Sequence, residues 1–362
     1  MKPALRLAGA LLLTCFGLSA PAFATEYPLP PPDSRLIGEN VLTQVPDNKQ
    51  PLEAIAARYQ VGLLSMLEAN PGTDPWLPKA GTQLTVPLQM ILPDTPREGI
   101  VVNLAELRLY YYPKGEDKVI VYPIGIGQLG AATPVMVTQI SQKIPNPTWT
   151  PTANIRKRYA KEGITLPGVV PAGPDNPMGQ FAMRLARGTG QYLIHGTNAK
   201  FGIGMRVSSG CIRLRSEDIE ALFNSAPKGT RVQIINQPVK YAVEPDGKRY
   251  VEVHQPLSRN DKDDPQTMPI ALTAGVKQFM KSEKSDSALI KASLARRSGM
   301  PVLVSSGEPV QSDTVPPAGL ESASVGADSP VTQADSPVTQ ADSPVTQADS
   351  PVTQAEGNAV QP

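Results

Sequence analysis

Two residues in this chain of 362 have the types and spacing for covalent chemistry. His195 and Cys211 lie sixteen positions apart in HGTNAKFGIGMRVSSGCIRL (195–214), in a sequence holding only two histidines and two cysteines. A free thiol is only a few per cent ionised at neutral pH, and an imidazole in contact with it can take its proton and leave a nucleophile for acyl transfer. Strand geometry predicts that contact. In QYLIH, residues 191, 193 and 195 share one face; in CIRLR, Cys211, Arg213 and Arg215 share one face while Ile212 and Leu214 point to the core. If the two strands are neighbours, base and nucleophile meet on one side, with the arginines placed to stabilise the anion. Gly202 and Gly204 free the intervening loop to arch over. Gly210 leaves the backbone open, so the N–H groups around Ser209 and Gly210 form a candidate oxyanion cradle. A metal centre fails on ligand count, since one Cys and one His fall short of the usual three or four. Disulfide exchange needs a second cysteine, and the chemistry calls for no cofactor.

The chain ends say where such a thiol would work. Lys2 and Arg6, the apolar run LAGALLLTCFGLSA and the small-x-small site Ala22-Phe23-Ala24 read as a cleavable export signal, residues 1–24. Cleavage after Ala24 removes Cys15 and leaves Cys211 as the lone thiol; Thr14 argues against lipidation at Cys15. No other run of about 18 apolar residues follows, so the mature protein is expected to be exported and soluble, without membrane insertion. A lone cysteine can be a buried small hydrophobe. Its Ser, Gly and Arg neighbours favour a reactive thiol in electropositive, partly open surroundings.

Net charge is +1 overall, but residues 302–362 carry eight acidic and no basic residues, which leaves +9 on the rest and +7 once Lys2 and Arg6 are removed. A modest basic excess suits acidic surroundings such as wall polymer. No nucleic-acid motif is present, and 5% aromatic residues make no stacking platform.

The elements that must position the pair follow from periodicity. EYPLPPPDSR reads as a proline-rich spacer. Residues 37–87 read as a small βααβ module: strand NVLTQV, helices over 52–59 and 62–70, strand TQLTVP. Residues 98–236 are strand-rich, opening with three strands and a hairpin turn at 114–117. A connection with prolines at 145, 147, 151, 167, 171, 174 and 177 follows, long enough to wall or cover a groove. QYLIHG, the opening segment, a helix over 217–225 capped by Ser216, and TRVQIIN complete the unit. Residues 237–265 form a β extension with a hairpin at Asp246-Gly247, and 266–300 hold one or two surface helices. Residues 301–362 form a disordered acidic tail with ADSPVTQ four times from Ala327 to Gln354; a proline in each repeat excludes a coiled coil. His254 has no motif around it and reads as a bystander.

Two resemblances attach to these residues. LEAIAARYQVGLLSMLEANPG…DPWLPKAGTQLTVP resembles a LysM module, a family that binds N-acetylglucosamine-containing glycans such as peptidoglycan. HGT, a spacer, then SSGCIRL resembles the signature of the YkuD-type L,D-transpeptidases, and the surrounding sequence is similar to the ErfK/YbiS group of Gram-negative periplasmic enzymes. The likeness spans most of residues 1–265. It implies a mainly β, sandwich-like catalytic domain, with Cys211 as nucleophile, His195 as base and the Gly196 carbonyl orienting the imidazole. Ser208 and Gly210 occupy the signature's Ser/Thr and Gly positions, Ser209 stands where many members have histidine, and Arg213 where others have asparagine. The family element TP-x-G appears as Thr133-Pro134-Val135-Met136. The implied reaction is attack on the diaminopimelate carbonyl of a tetrapeptide stem, release of D-alanine, and transfer to an amine on a Braun-type lipoprotein lysine or a second stem. Ser208, Arg213, Arg215 and Arg206 are then candidate substrate contacts, the arginines through the stem's carboxylates. A hydrolase on the same scaffold, or a non-catalytic wall-binding protein, are the alternatives.

Overall fold

The computed structural model describes residues 24–307 apart from 162, 189–191 and 200; the expected export signal, all but residue 24, and the expected repeats lie outside the described residues. The chain begins with β1 (Thr25–Pro28), β2 (Leu36–Ile37), β3 (Val41–Gln44), α1 (Leu52–Arg58), α2 (Leu63–Ala69), β4 (Gln83–Val86) and β5 (Met90–Ile91). β3 and β4 pair antiparallel, and Leu52, Ile55, Ala56, Leu63 and Met66 of the helices fill the core beneath them. This is the expected βααβ module. The expected spacer is not wholly one: Thr25–Pro28 pairs along β8 as the edge of the main sheet, because alternate residues bury Tyr27 while Glu26 stays outside.

The central unit runs through β6 (Gly99–Asn103), β7 (Arg108–Tyr112), β8 (Lys118–Pro123), β9 (Ile126–Gly127), β10 (Met136–Pro145), α3 (Ala153–Lys161), β11 (Phe181–Leu185), β12 (Leu193–His195), β13 (Arg206–Ser208), β14 (Ile212–Arg213), α4 (Ser216–Ser225) and β15 (Arg231–Ile235). Nine strands join in the order β1-β8-β7-β6-β15-β10-β11-β12-β14. The ladder turns at β10. Met136–Gln139 pair with β15, Ile140–Pro145 pair with β11, and the register shifts between Ile140 and Gln142. Such a bulge lets one strand serve two half-sheets. The inner faces of both halves meet in one core, with Ile100, Val102, Leu109 and Tyr111 from one side, Met183, Ile194 and Ile212 from the other, and Ile219 and Leu222 of α4 closing it. The alternate residues Val101, Tyr110, Tyr112 and Val119 bury the opposite face of the first half under Tyr27, Ile37 and Leu92. The fold is mainly β, as expected.

Two local expectations are corrected here. Ser216 does not cap α4: Arg215 holds the cap position, and the Ser216 hydroxyl donates to the Thr197 carbonyl at 3.0 Å. The proline-rich connection is not all loop, since residues 153–161 wind into α3.

β16 (Val239–Val243), β17 (Arg249–Val253), α5 (Ala274–Lys281), α6 (Ser287–Arg296) and β18 (Pro301–Leu303) form the last unit. The expected extension and surface helices are a single body, because Val276, Phe279 and Ile290 of the helices pack on Val239, Val251 and Val253 of the hairpin. The tail begins later than expected: residues 301–303 pair with β17.

His254, a bystander to the expected chemistry, has buried partners in two units. Its Nδ1 lies 2.9 Å from Glu68 Oε2 in α2, and its Nε2 lies 2.7 Å from Glu252 Oε1. With an acceptor at each nitrogen, only the imidazolium satisfies both contacts. Lys240 Nζ sits 2.8 Å from Glu106 and 3.0 Å from Glu252, and Arg108 Nη1 lies 3.2 and 3.3 Å from the same two carboxylates. Three carboxylates thus face three cations, all buried, where the three units meet. Glu106, Glu252 and His254 are close enough to hold a metal ion. Lys240 already supplies the cation between the carboxylates, so the cluster reads as an ionic junction. Burial disfavours the charged His254 ring, but Glu68 and Glu252 outweigh it and lift it to about 9.

A group whose folded value exceeds its unfolded value stabilises fully below the unfolded value, near 6.5, and loses that contribution as pH rises through the folded value. The thermal midpoint is therefore expected to fall between about pH 6.5 and 9, by on the order of 3 kcal/mol of stability from this group. His254→Gln should flatten that slope and lower the midpoint at pH 6; melts across pH 6–10 provide the check.

Candidate functional site

His195 and Cys211 are brought together by an uncommon pairing. β12 and β14 run parallel, with Ile194 opposite Ile212 and His195 opposite Arg213. Ile194 and Ile212 enter the inner core, whereas Leu193 and Cys211 lie together in a separate cluster on the other face. His195, Cys211 and Arg213 therefore share that second face, as the alternation predicts. Because the strands are short, flanking bonds fix the register. Leu214 N–H donates to His195 O at 2.9 Å, and Arg213 exchanges two backbone bonds with Gly125 at 2.8 and 2.9 Å.

The turn before the cysteine is built by side chains. Gly210 has φ +113°, a conformation in which L side chains are strained. The Ser208 hydroxyl donates to Cys211 O at 2.6 Å and accepts from Gly210 N–H at 3.2 Å. Ser208 is fully buried, so the expectation that it contacts substrate is corrected: its oxygen is spent on the turn. Ser209 is half-buried beside it. Thr133, quoted only as part of the TP-x-G element, fastens the turn from outside. Its hydroxyl donates to Gly210 O at 3.0 Å and accepts from Gly127 N–H at 2.9 Å. Met136, which replaces that element's glycine, opens β10 with its side chain in the core. Nothing in the sequence alone marked Thr133 as the tie between two distant turns.

His195 Nδ1 lies 2.6 Å from the Gly196 carbonyl, the contact expected to orient the ring. With that nitrogen as donor, the neutral ring keeps its lone pair on Nε2. Burial and then the Arg213 charge push the imidazole down to about 3, against the opposing pull of the Gly196 and Met178 backbone. Cys211 departs from expectation. The residue is 1% exposed, clustered with Trp149, Ile155, Met178 and Leu193, and is not in open surroundings. The cause is the segment after β10, which folds across the site: Trp149 and Val170 exchange backbone bonds at 2.8 and 2.6 Å, and Asn176 Nδ2 donates to the carbonyls of Pro147 and Pro171. Burial pushes the thiol up to about 12, although a 3.1 Å bond from Leu193 N–H and the Arg213 charge pull it down. In this closed arrangement both partners are neutral, and the thiol keeps its proton.

The arginines divide. Arg213 is fully buried, and its charge reaches both His195 and Cys211. Arg215, offered as a substrate contact, is corrected: it turns to the N-terminal module, donating to Val61 O at 2.9 Å and Gln60 Oε1 at 3.3 Å. Arg206 donates to Ser258 O at 2.9 Å and so braces the C-terminal segment.

Comparison with known proteins agrees with this geometry. The L,D-transpeptidase catalytic domain (YkuD) matches residues 97–234, and the L,D-transpeptidase C-terminal domain matches residues 238–304. Probable L,D-transpeptidase YcfS of Escherichia coli is 59% identical over 287 residues, covering 79% of this chain and 90% of that protein. Probable L,D-transpeptidase ErfK/SrfK of Salmonella typhimurium is 56% identical over 303 residues, covering 83% and 96%. Probable L,D-transpeptidase YbiS of Escherichia coli is 54% identical over 290 residues, covering 79% and 94%. Among the described residues no helix is long and apolar enough to cross a membrane. With a buried cysteine and a buried imidazole on one face of two adjoining segments, and matched over most of its relatives' length, this chain belongs to the L,D-transpeptidases of the YkuD family.

Proposed function

We propose that this enzyme works in the periplasm on peptidoglycan, using Cys211 as nucleophile and His195 as base. The shared face of β12 and β14, with His195 Nδ1 held by the Gly196 carbonyl, is the observation that carries the reading. Nε2 takes the thiol proton, and the sulfur attacks the diaminopimelate carbonyl of a tetrapeptide stem. The tetrahedral oxyanion is received by the N–H groups of the Ser209–Gly210 turn. The C–N bond to D-alanine breaks, its amine takes the proton from His195, and a thioester remains on Cys211. An acceptor amine then attacks and gives its proton to His195, the C–S bond breaks, and the departing thiolate recovers that proton as a new amide joins the acyl group to a Braun-type lipoprotein lysine or a second stem. The N-terminal module, by its LysM-like sequence, holds glycan nearby. No metal or cofactor enters any step.

Substrate reaches the sulfur only when the segment carrying Trp149 and α3 moves aside, since that segment buries the thiol. Four cations, Arg156, Lys157, Arg158 and Lys161, lie on α3, so an anionic wall polymer meets positive charge at this edge.

Two outcomes are expected. Purified enzyme given tetrapeptide muropeptides should yield cross-linked dimers or exchange the terminal D-amino acid, and Cys211→Ala should yield neither; tripeptide as the sole product would assign the protein to the hydrolases. Trp149→Ala should speed iodoacetamide alkylation of Cys211, followed by mass spectrometry, by on the order of tenfold, because it opens the cover that keeps the thiol protonated and out of reach.

A further inference from the structure

The turn that presents Cys211 contains a residue able to turn its own peptide over. Gly210 stands at φ +113°, and a glycine there can rotate the following peptide plane at little steric cost. In a planar trans peptide the C=O and N–H point in opposite directions, so the direction of the Gly210 carbonyl fixes that of the Cys211 N–H. Ser208 holds the peptides on either side of this plane: its hydroxyl accepts from Gly210 N–H at 3.2 Å and donates to Cys211 O at 2.6 Å. The Gly210 carbonyl itself is held by Thr133, whose hydroxyl donates to it at 3.0 Å.

Thr133 can hold that carbonyl because its own place is fixed. It is buried, and its hydroxyl accepts from Gly127 N–H at 2.9 Å. β9 lies parallel to β13 with Gly127 opposite Ser208, and Gln128 N–H donates to Ser208 O at 2.8 Å. The chain then doubles back so tightly that a Cβ on Gly127 would lie 2.5 Å from Thr133 N. A Cβ on Gly210 would lie 3.6 and 3.8 Å from the carbonyl oxygens of Ala131 and Ala132, so residues 131–133 run along the nucleophile turn. We propose that Thr133 is a positioning residue for acyl transfer: its hydroxyl pins the Gly210 carbonyl and so keeps the Cys211 N–H turned towards the developing oxyanion. A flipped peptide would present a carbonyl oxygen to that charge in place of a donor. This inference rests on the assignment of Cys211 and of the oxyanion turn above.

A hydroxyl at this position is the requirement; valine lacks it at nearly the same shape, and serine keeps it. In the full-length mature enzyme, Thr133→Val is expected to lower kcat for transpeptidation by about tenfold or more while KM stays within about twofold, because the oxyanion develops only in the transition state. Alkylation of Cys211 by iodoacetamide forms no oxyanion, and its rate should stay within about twofold of the parent's. Thr133→Ser should recover kcat to within about threefold. Isotope labelling of glycine carbonyl carbons and cysteine amide nitrogens marks the Gly210–Cys211 peptide alone, since the sequence has no other Gly-Cys pair. Its NMR signal should move in the valine variant and return in the serine variant. A valine variant with kcat within about twofold of the parent overturns the proposal, as does one that raises KM alone or slows alkylation in step with kcat. An unmoved signal, or a serine variant as impaired as valine, overturns it too. Should the valine variant fail to fold, Thr133→Ala removes the hydroxyl with a smaller side chain, and the same outcomes decide. If Cys211→Ala retained transpeptidation, the nucleophile assignment would fail instead. The labelled peptide in Thr133→Val would still show whether Thr133 holds the turn.

Discussion

The site depends on the parallel register of two very short strands. With Ile194 opposite Ile212, the apolar residues enter the core between the half-sheets, and the chemistry-bearing residues are left on the other face. A slip of one position by either strand would turn that strand's side chains over, putting His195 or Arg213 into the apolar core. Three backbone bonds around Arg213 and His195, and a fourth from Leu193 to the sulfur, hold that register where ladder length cannot. The Thr133 and Ser208 hydroxyls do the same for the strained turn at Gly210. The catalytic face is fixed by ties from four separate parts of the chain.

Access and activation are coupled by one cover. Burial acts oppositely on the two groups, raising the thiol to about 12 and lowering the imidazole to about 3. Both shifts favour neutral partners. Water entering beneath Trp149 relieves both at once, lowering the thiol and raising the imidazole towards the values at which a proton passes readily between them. Arg213 does not relax in the same way. It favours the thiolate and disfavours imidazolium, so in the proposed reaction it raises the thiolate fraction and eases the later return of the proton to a leaving amine.

Local order was readable where period and punctuation were strong. The βααβ module, the first three strands of the central unit and the closing hairpin stand within a residue or two of the expected spans. The shared face of His195 and Cys211 followed from counting by twos. What escaped was non-local. Nothing within EYPL announces that Thr25–Pro28 will lie along β8, since that partner is some ninety residues away. Arg213 and Arg215 look alike in CIRLR, yet one faces the thiol and the other reaches into the N-terminal module. The burial of Cys211 was hidden for the same reason, because its cover is assembled from residues 149–178 and from bonds made by Asn176. His254 lacked a motif because its partners, Glu68 and Glu252, come from two different units.

The three units are joined by charge where each alone is packed by apolar side chains. A buried ion pair is weak evidence for added stability, because desolvation offsets the attraction, while removing one partner leaves a charge uncompensated and costs about 3–5 kcal/mol. Such a junction tolerates one arrangement and penalises its neighbours. Glu68 satisfies His254 and the Gln255 amide only if α2 sits against β17, and Arg296 of α6 donates to the Glu68 carbonyl only in the same pose. That pose also sets the start of α2, whose Leu63 and Leu64 amides donate to the Ile203 and Gly204 carbonyls, against the loop beside Arg213. The ionic cluster therefore determines where the N-terminal module stands, and the module's position in turn determines how the loop between base and nucleophile is held.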